Sequence, residues 1–474
     1  MRMTRSRRLG AGCDRPREYA GNSIRHVPLS VAILLLTFQG LAAQTTQLGD
    51  ELERTVRARV DNGYNVGIVV GVVDERGRRY FGYGETSFGN GILPDENSVF
   101  EIGSITKVFT ATLLADMVRR GEVELDDPIE LYLPPGVKAP TRGGASITLL
   151  DLATHTSGLS RMPSNLRPAD PGNPYADYST QQMYEFLDGY ALTRDVGERY
   201  EYSNYGFGLL GSLLALAAGF EYADLIEQRV TTVLGMDDTA VELTGDMRVR
   251  LTQGHSGTAA VANWDIPTLA GAGALRSTAA DMLSFLAANL GLLDSPLRPA
   301  LIDTHAPRKP TNSPTMQVGL GWHVRRGENG ETVWHNGGTG GYRSFIGFVR
   351  GGDVGVVVLT NSNRSTDDIG FHLLDPSVPL EVVRTKVIID PTILVRYVGQ
   401  YELTATLVFD IRLDGNHLTA QLTGQDRLPI YAESDTEFFY TIVDAQITFE
   451  VDEAGEVTAL VLHQNGMDQR AKRR

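Results

Sequence analysis

The sequence is almost without cysteine, because Cys13 is the only one among its 474 residues. Cys13 lies before an apolar run at residues 29–38, which is too short to span a membrane. Arginines precede this run and small residues follow it at 40–44, a pattern typical of a secretory signal peptide. We therefore expect residues 1–43 to be removed, leaving a mature chain without disulfides or thiol chemistry. An exported protein without cysteine indicates a bacterial protein of the periplasm or the exterior, with no stable membrane span after cleavage.

Positive charge is also scarce, since 43 Lys and Arg face 58 Asp and Glu, for a formal net charge of −15. The predicted leader contains seven arginines and two acidic residues, so its removal makes the remainder more acidic still. So acidic a chain is a poor candidate for binding nucleic acid. We find no phosphate-binding loop and no His/Cys cluster with metal-ligand spacing, and we expect neither a metal nor a cofactor.

Lysine is rare enough that one of its positions becomes informative. The five lysines are Lys107, Lys138, Lys309, Lys386 and Lys472, and Lys107 alone has a serine three positions before it. Apolar residues at helical spacing predict a helix over residues 104–120, so Ser104 and Lys107 share a face near its start. A hydroxyl beside an amine, where free N–H groups favour negative charge, indicates an activated nucleophile. The alternative is an ordinary helix cap at Ser104 with a solvated Lys107.

Predicted strands occur at both ends of the region that surrounds this helix. Residues 66–73 and 79–84 read as strands before the helix, and strands are predicted after a largely helical middle, at 316–322, 332–334, 342–349 and 354–359. This order predicts a mixed α/β (α+β) fold, with an antiparallel sheet flanked by helices and a helical subdomain.

The sequence pattern changes after a proline-containing connection at residues 375–391. Short alternating segments separated by turns predict a small all-β barrel domain. We expect a hydrolase domain at 48–375, a linker at 376–394 and the barrel at 395–474. The basic end of the chain, residues 470–474, is expected to be frayed and solvated.

Two further motifs accompany Ser104 and Lys107, namely Tyr202-Ser203-Asn204 and, later, His335-Asn336-Gly337. Together, in this order, the three sets resemble the motifs of the penicillin-binding-protein and class C β-lactamase superfamily. The resemblance covers about residues 48–370 and includes the stretches at 150–159, 234–239 and 271–282. Residues from 397 onward look like the small barrel often appended to such hydrolases.

The resemblance implies a role for each motif residue. Ser104 would attack a carbonyl, while Lys107 and Tyr202 would act as base and proton relay, in an order that the sequence leaves open. Asn204 would orient Lys107 and the substrate amide. The backbone N–H groups of Ser104 and Gly338 would form the oxyanion hole, next to Gly337 in the third motif.

His335 stands where many relatives have a lysine, which in β-lactamases and carboxypeptidases is a permanent cation near the substrate carboxylate. A histidine with an ordinary pKa near ~6.5 supplies only a fraction of that charge at pH 7. We therefore expect a preference for esters or peptides without a free carboxylate, and better turnover of carboxylate substrates as His335 protonates. Arg343, a few residues on, is the residue that could compensate.

The sequence leaves several alternatives open. An ester, a D-amino-acid peptide and a β-lactam all remain candidate small-molecule or peptide substrates, and a D-Ala-D-Ala carboxypeptidase is included among them. A non-catalytic relative that keeps the fold as a scaffold or binding module is the alternative of another class. The stretch at 254–258 imitates a nucleophile elbow, but Thr258 replaces the last glycine and no strong buried strand precedes it. We interpret it as a loop, and we expect His155 to brace a turn below the site. The oligomeric state is not predicted.

Overall fold

The computed structural model describes residues 48–474 apart from 328 and 329, so the predicted signal peptide lies outside the described residues. The helices are α1 (Asp50–Asp61), α2 (Thr106–Arg119), α3 (Leu149–Ala153), α4 (Thr180–Gly189), α5 (Asn204–Ala218), α6 (Tyr222–Ile226), α7 (Gly245–Arg250), α8 (Ala270–Gly273), α9 (Ala279–Leu290), α10 (Arg298–His305), α11 (Asp367–Leu374) and α12 (Pro391–Tyr397). The strands before the barrel are β1 (Gly67–Asp74), β2 (Gly77–Gly84), β3 (Phe100–Glu101), β4 (His255–Ser256), β5 (Ala259–Ala260), β6 (Arg276–Ser277), β7 (Lys309–Pro310), β8 (Met316–Val318), β9 (His323–Gly327), β10 (Gly330–Gly338), β11 (Arg343–Val349) and β12 (Gly355–Thr360). The barrel strands are β13 (Gly399–Thr404), β14 (Leu407–Asp414), β15 (His417–Leu422), β16 (Leu428–Ala432), β17 (Glu437–Phe439), β18 (Gln446–Val451), β19 (Val457–Gln464) and β20 (Met467–Arg473).

The main sheet joins the two ends of the hydrolase region. Its eight strands have the order β2-β1-β12-β11-β10-β9-β8-β7, with β1 antiparallel to β12 and Ile68 opposite Thr360. Side chains of β1 alternate between two cores: Val69 belongs to the large core that contains α2 and α9, and Val70 to the smaller core with α1 and α11. The prediction of an antiparallel sheet covered by helices is therefore confirmed.

The third motif lies on a strand, whereas the sequence predicted it between two strands. β10 begins at Gly330 and continues to Gly338, well past the predicted end at residue 334. Pairing with β11 explains this extension, because Asn336 lies opposite Phe345 and Gly338 opposite Arg343. A run of two glycines has low strand propensity, so the neighbouring strand decides the conformation here.

The helical middle supplies the other two motifs. α5 is buried on nearly all sides, and its N-cap is Ser203, whose hydroxyl accepts a hydrogen bond from Gly206 N–H at 2.8 Å.

Within residues 48–474, apart from 328 and 329, no single helix is long and apolar enough to cross a membrane. One sharply bent pair of helices, residues 204–218 and 222–234, meets the length and composition criteria when taken together.

The C-terminal barrel is closed by a strand that the sequence analysis predicted wrongly. Residues 470–474 were expected to be frayed, but β20 runs through Arg473, pairs with both β19 and β13, and buries Ala471 completely. The basic side chains stay at the surface, where Arg470 forms an ion pair with Glu450 at 2.6 Å. Pairing with β20 satisfies the backbone N–H and C=O groups that β13 would otherwise expose at its edge. This pairing explains why so polar a segment is ordered.

Candidate active site

Ser104 lies in a single 3-10 turn, Gly103–Ile105, immediately before α2. The residue before it must be a glycine: Gly103 has φ of +50°, and a Cβ there would lie 2.7 Å from the backbone N of Gly338. This close approach brings the start of α2 against the end of β10. Ser104 is partly exposed to a cleft, whereas Lys107 one turn later is completely buried.

The Lys107 amine contacts three oxygen atoms, an arrangement that is open to a neutral amine. Its Nζ lies 3.0 Å from Ser104 Oγ, 2.9 Å from Asn204 Oδ1 and 2.7 Å from the carbonyl oxygen of Ala272. Two of these atoms can only accept hydrogen bonds, so two N–H groups can serve them while the lone pair faces the serine hydroxyl.

Electrostatics favour the same protonation state of Lys107. Burial, assisted by the Arg161 cation, holds the pKa of Lys107 well below its ordinary value. No carboxylate of the described residues forms an ion pair with Nζ to oppose this shift. The amine is therefore a base that is available at pH values far below those at which an ordinary lysine loses its proton.

Tyr202 lies between the Lys107 amine and the Arg161 guanidinium, close to the nucleophile. Its ring centroid is 4.8 Å from Lys107 Nζ and 4.9 Å from Arg161 Cζ. Desolvation raises the pKa of the Tyr202 hydroxyl above its ordinary value, although a hydrogen bond with Ser104 opposes this shift. The hydroxyl is therefore protonated near pH 7, and it can both donate and accept a hydrogen bond.

The segment around His155 holds the second motif in place. The His155 side chain is 1% exposed, and its Nδ1 accepts a hydrogen bond of 3.0 Å from Ser203 N–H, between Tyr202 and Asn204. Asn204 N–H in turn donates to the carbonyl oxygen of Arg161 at 3.0 Å. His155 thus braces the motif as expected. Burial lowers the pKa of its imidazole well below the ordinary value, so the ring remains neutral.

His335 corrects one expectation from the sequence. Its side chain is 1% exposed, lies outside the lining of the cleft, and stacks on His323 with ring centroids 5.0 Å apart. Desolvation is the main reason why its pKa lies well below the ordinary value, and His323 and Lys107 add to the shift. Burial therefore disfavours the cationic form of His335, and its side chain does not line the cleft. The structure does not support the predicted improvement of carboxylate substrates on protonation of His335.

The neighbours of His335 on β10 form the wall of the cleft. Asn336, Gly337 and Gly338 all line it, opposite Ser104. A Cβ on Gly337 would lie 2.0 Å from the carbonyl oxygen of Ile102, so this position also requires glycine. The third motif therefore lies against the segment before Ser104 through backbone atoms. An oxyanion hole at Ser104 and Gly338 stays an expectation of the resemblance.

The cleft has a volume of about 580 Å³ and is the largest of the described openings around Ser104. Two of its lining residues are cations, Arg161 and Arg343, and Arg343 keeps its guanidinium near the Asp367 carboxylate. A smaller pocket of about 30 Å³ adjoins Ser104 and has an apolar wall that includes Ile266 and Leu269.

Several cleft residues escaped the sequence analysis, namely Arg161, Met162, Tyr175, Trp264 and His323. Arg161 was the easiest to find, because it lies two residues after the stretch at 150–159 that contributed to the resemblance. The others come from loops without a motif. Trp264 is fixed by its backbone N–H, which donates to the Oε1 atom of the buried Glu101 at 2.8 Å. Within the described residues, no group of three His, Asp or Glu side chains could hold a metal ion.

Two family models match the chain. The model described as "Beta-lactamase" matches residues 52–373, and the model described as "Domain of unknown function (DUF3471)" matches residues 383–473. The second range contains every strand of the barrel.

Individual relatives agree with the first model. The chain is 37% identical over 227 residues to the D-alanyl-D-alanine-carboxypeptidase/endopeptidase AmpH of Escherichia coli K12, which covers 46% of this chain and 56% of that protein. The chain therefore spans little more than half the length of this relative. A beta-lactamase of Pseudomonas fluorescens is 26% identical over 354 residues, covering 67% of this chain and 94% of that protein. Among solved structures, a beta-lactamase/D-alanine carboxypeptidase from Yersinia pestis, complexed with citrate, has a TM-score of 0.60 and 25% identity. That match covers 69% of this chain and 97% of the other.

Proposed function

Because the chain belongs to the beta-lactamase family, we propose that it is a serine hydrolase that works through an acyl-enzyme on Ser104. One observation carries the proposal: the Ser104 hydroxyl lies 3.0 Å from the amine of a fully buried lysine. A hydroxyl is a weak nucleophile until a base takes its proton, and Lys107 is positioned to do so.

In acylation, Lys107 acts as the general base. Its lone pair accepts the hydroxyl proton as Ser104 Oγ forms a bond to the substrate carbonyl carbon. Asn204 Oδ1 and the Ala272 carbonyl hold the other two N–H groups, so the amine cannot rotate away. Tyr202 is the proton relay, because its raised pKa keeps it as a neutral phenol that can pass a proton to the leaving amine or alcohol.

The oxyanion of the tetrahedral intermediate is held by the backbone N–H groups of Ser104 and Gly338. Support comes from the close approach of Gly103 to Gly338, the two residues whose backbones adjoin in front of Ser104. Removing one such donor typically costs about 10²–10³ in rate. The bond from the carbonyl carbon to the leaving group then breaks. A water molecule attacks the ester on Ser104 in the second half of the reaction, and the acid is released.

The substrate class that fits this cleft is a D-alanyl peptide with a free carboxylate. Arg161 and Arg343 line the larger cleft and offer two cations to such a group, a role that the sequence analysis had looked for at His335. The pocket of about 30 Å³ beside Ser104 suits a side chain as small as a methyl group. The names of the AmpH and Yersinia pestis relatives point in the same direction.

We also propose that the enzyme acts outside the cytoplasm. The support is the leader at residues 1–43, with its arginines, short apolar run and small-residue site. Cell fractionation, with intact-mass measurement of the mature N-terminus, tests this point. A cytoplasmic protein that begins at Met1 would contradict it.

The activity is tested with three substrates: a tripeptide ending in D-Ala-D-Ala, a short-chain nitrophenyl ester and a chromogenic cephalosporin. We expect the wild type to release D-alanine from the peptide with the highest kcat/KM. The Ser104→Ala variant should lose all three activities while it unfolds close to the wild-type temperature, because the Ser104 side chain caps neither the 3-10 turn nor α2.

Two results would overturn parts of the proposal. Hydrolysis that persists in Ser104→Ala would remove the nucleophile, and a wild type that neither turns over nor forms a covalent adduct would support a scaffold or binding module. If the ester were strongly preferred over the peptide, the proposed acyl-enzyme mechanism would stand and only the proposed substrate class would change.

A further inference from the structure

The barrel is plugged at one end. In a barrel whose strands follow one another in order, successive turns alternate between the two ends, so the turns at 433–436 and 452–456 share an end. α12 lies at that end, because the Tyr397 hydroxyl donates to the carbonyl oxygen of Asp435 at 2.7 Å. The Tyr397 ring also stacks on Phe449 with centroids 4.2 Å apart. Helix and aromatic side chains together fill this end.

The other end has a partly open cavity of about 110 Å³. The turns at 423–427 and 440–445 lie at this end, and both contribute residues to the lining. The wall combines apolar side chains such as Phe409, Leu428 and Leu462 with polar groups, including the carboxylate of the exposed Asp426 at the rim. The two ends thus differ in that one is packed with side chains and the other has space for a guest.

A tyrosine supplies an unused hydrogen-bonding group in this cavity. The Tyr440 side chain lines it and is 8% exposed, so more than nine-tenths of it is buried. Within the part of the chain that the structure describes, its hydroxyl has no hydrogen-bond partner. The Tyr440 oxygen is open to the cavity and is not sealed in the core. A ligand with a polar group at this position could form a hydrogen bond with it.

We propose that the barrel cavity binds a small neutral molecule with an aliphatic body and one hydrogen-bonding group, such as a short-chain alcohol. Eight-stranded barrels have room for one small ligand. An apolar cavity of ~150 Å³ accepts benzene, so the smaller cavity here suits an aliphatic chain of about five carbons. The Asp426 carboxylate at the rim disfavours an anionic head group. This site is separate from the cleft around Ser104 and does not depend on the proposed hydrolase activity.

The binding test uses the full chain and 1-pentanol, followed by calorimetry or saturation-transfer NMR. For a ligand of this size we expect one saturable site with a Kd on the order of 1 mM. Two variants fill the cavity, Ala420→Leu from a strand and Val443→Phe from a turn, so that misfolding of one leaves the other informative. Both should weaken binding at least tenfold.

The polar contact is tested by a matched pair of tyrosine variants. Tyr440→Phe removes the cavity hydroxyl and should weaken binding about five- to tenfold, the usual worth of one hydrogen bond. Tyr431→Phe removes a hydroxyl of the same barrel that does not line the cavity, and its binding should equal that of the wild type. The site is overturned if the wild type binds without saturation, or if both filling variants bind as well as the wild type. Equal binding by Tyr440→Phe would also contradict it.

Discussion

The hydrolase region and the barrel bury different kinds of side chain. Around Ser104 the hydrolase buries a lysine, three histidines and a glutamate, namely Lys107, His155, His323, His335 and Glu101. In the barrel domain of the described chain, apart from tyrosines, the buried polar side chains are two threonines, Thr419 in a strand and Thr441 in a turn. Burying an ionisable group costs stability unless it becomes neutral or finds a partner. The difference indicates that the hydrolase accepts this cost to hold a neutral base at the nucleophile, while the barrel is built mainly for packing.

The largest effect should come from removing the buried amine. We expect Lys107→Met to lower the rate of covalent labelling of Ser104 by about 10²–10⁴, the usual contribution of a general base. Labelling with a fluorophosphonate, measured by intact mass, provides the rate. Lys138→Met is the matched control, since that lysine is exposed and does not line the cleft. Comparable losses in both variants would show that the effect is not specific to the site.

Acid should destabilise the hydrolase region through its buried histidines. Burial lowers the pKa of His323 to about 4, whereas an unfolded histidine titrates near ~6.5. The unfolded chain therefore binds the extra proton, and the contribution of His323 to stability falls as pH drops from 6.5 towards 4. Buried carboxyl groups such as Asp281, whose pKa is raised to about 6, act in the opposite direction.

A single variant isolates the histidine contribution. Between pH 7 and 5, His323→Gln should lose about 2 kcal/mol less unfolding free energy than the wild type. Urea unfolding followed by tryptophan fluorescence reports this region alone, because all three tryptophans (264, 322 and 334) lie in it. If the unfolding free energies of variant and wild type fell equally between pH 7 and 5, His323 would not be a source of the acid destabilisation.

Charge recognition in the cleft should have a smaller effect, limited to one class of substrate. We expect Arg343→Met to raise KM for a D-Ala-D-Ala peptide about tenfold, the loss of one charged hydrogen bond, with kcat less affected. KM for a neutral ester should stay unchanged, which makes the ester an internal control. A similar rise in KM for both substrates would mean that Arg343 acts through the structure of the cleft.

The smallest effect is expected from removing the barrel. A chain that ends at Asp390 should label at Ser104 within about threefold of the full chain, because the barrel contributes no cleft residue. The barrel does contact the hydrolase, since the Tyr64 and Phe439 rings are 6.0 Å apart and Ile442 lies against Gly257. A folded truncated chain without labelling would show that the barrel completes the site.

The sequence predicted most helices and strands that follow from a local repeat of residues. It predicted fewer features that depend on residues far away in the chain. The spacing of Ser104 and Lys107 follows from one helical turn, and the strands at both ends follow from their alternation. β10 and β20 were predicted too short or missed, because glycine-rich and basic strands are ordered by the strands beside them. The neutral state of His335 depends on His323 and on burial, which no local pattern encodes. Arg161 and Trp264 reach the cleft from loops.

Activation of Ser104 depends most directly on a neutral Lys107. The pH dependence of Ser104 labelling measures the protonation state of this amine. If burial lowers the pKa of Lys107 well below its ordinary value, the labelling rate should level off between pH 7 and 9.5. Tyr202 stays protonated over this range and should add no step. A lysine that titrates near ~10.4 would instead give a rate that climbs about tenfold per pH unit up to pH 9.5. That steep climb would contradict the central claim.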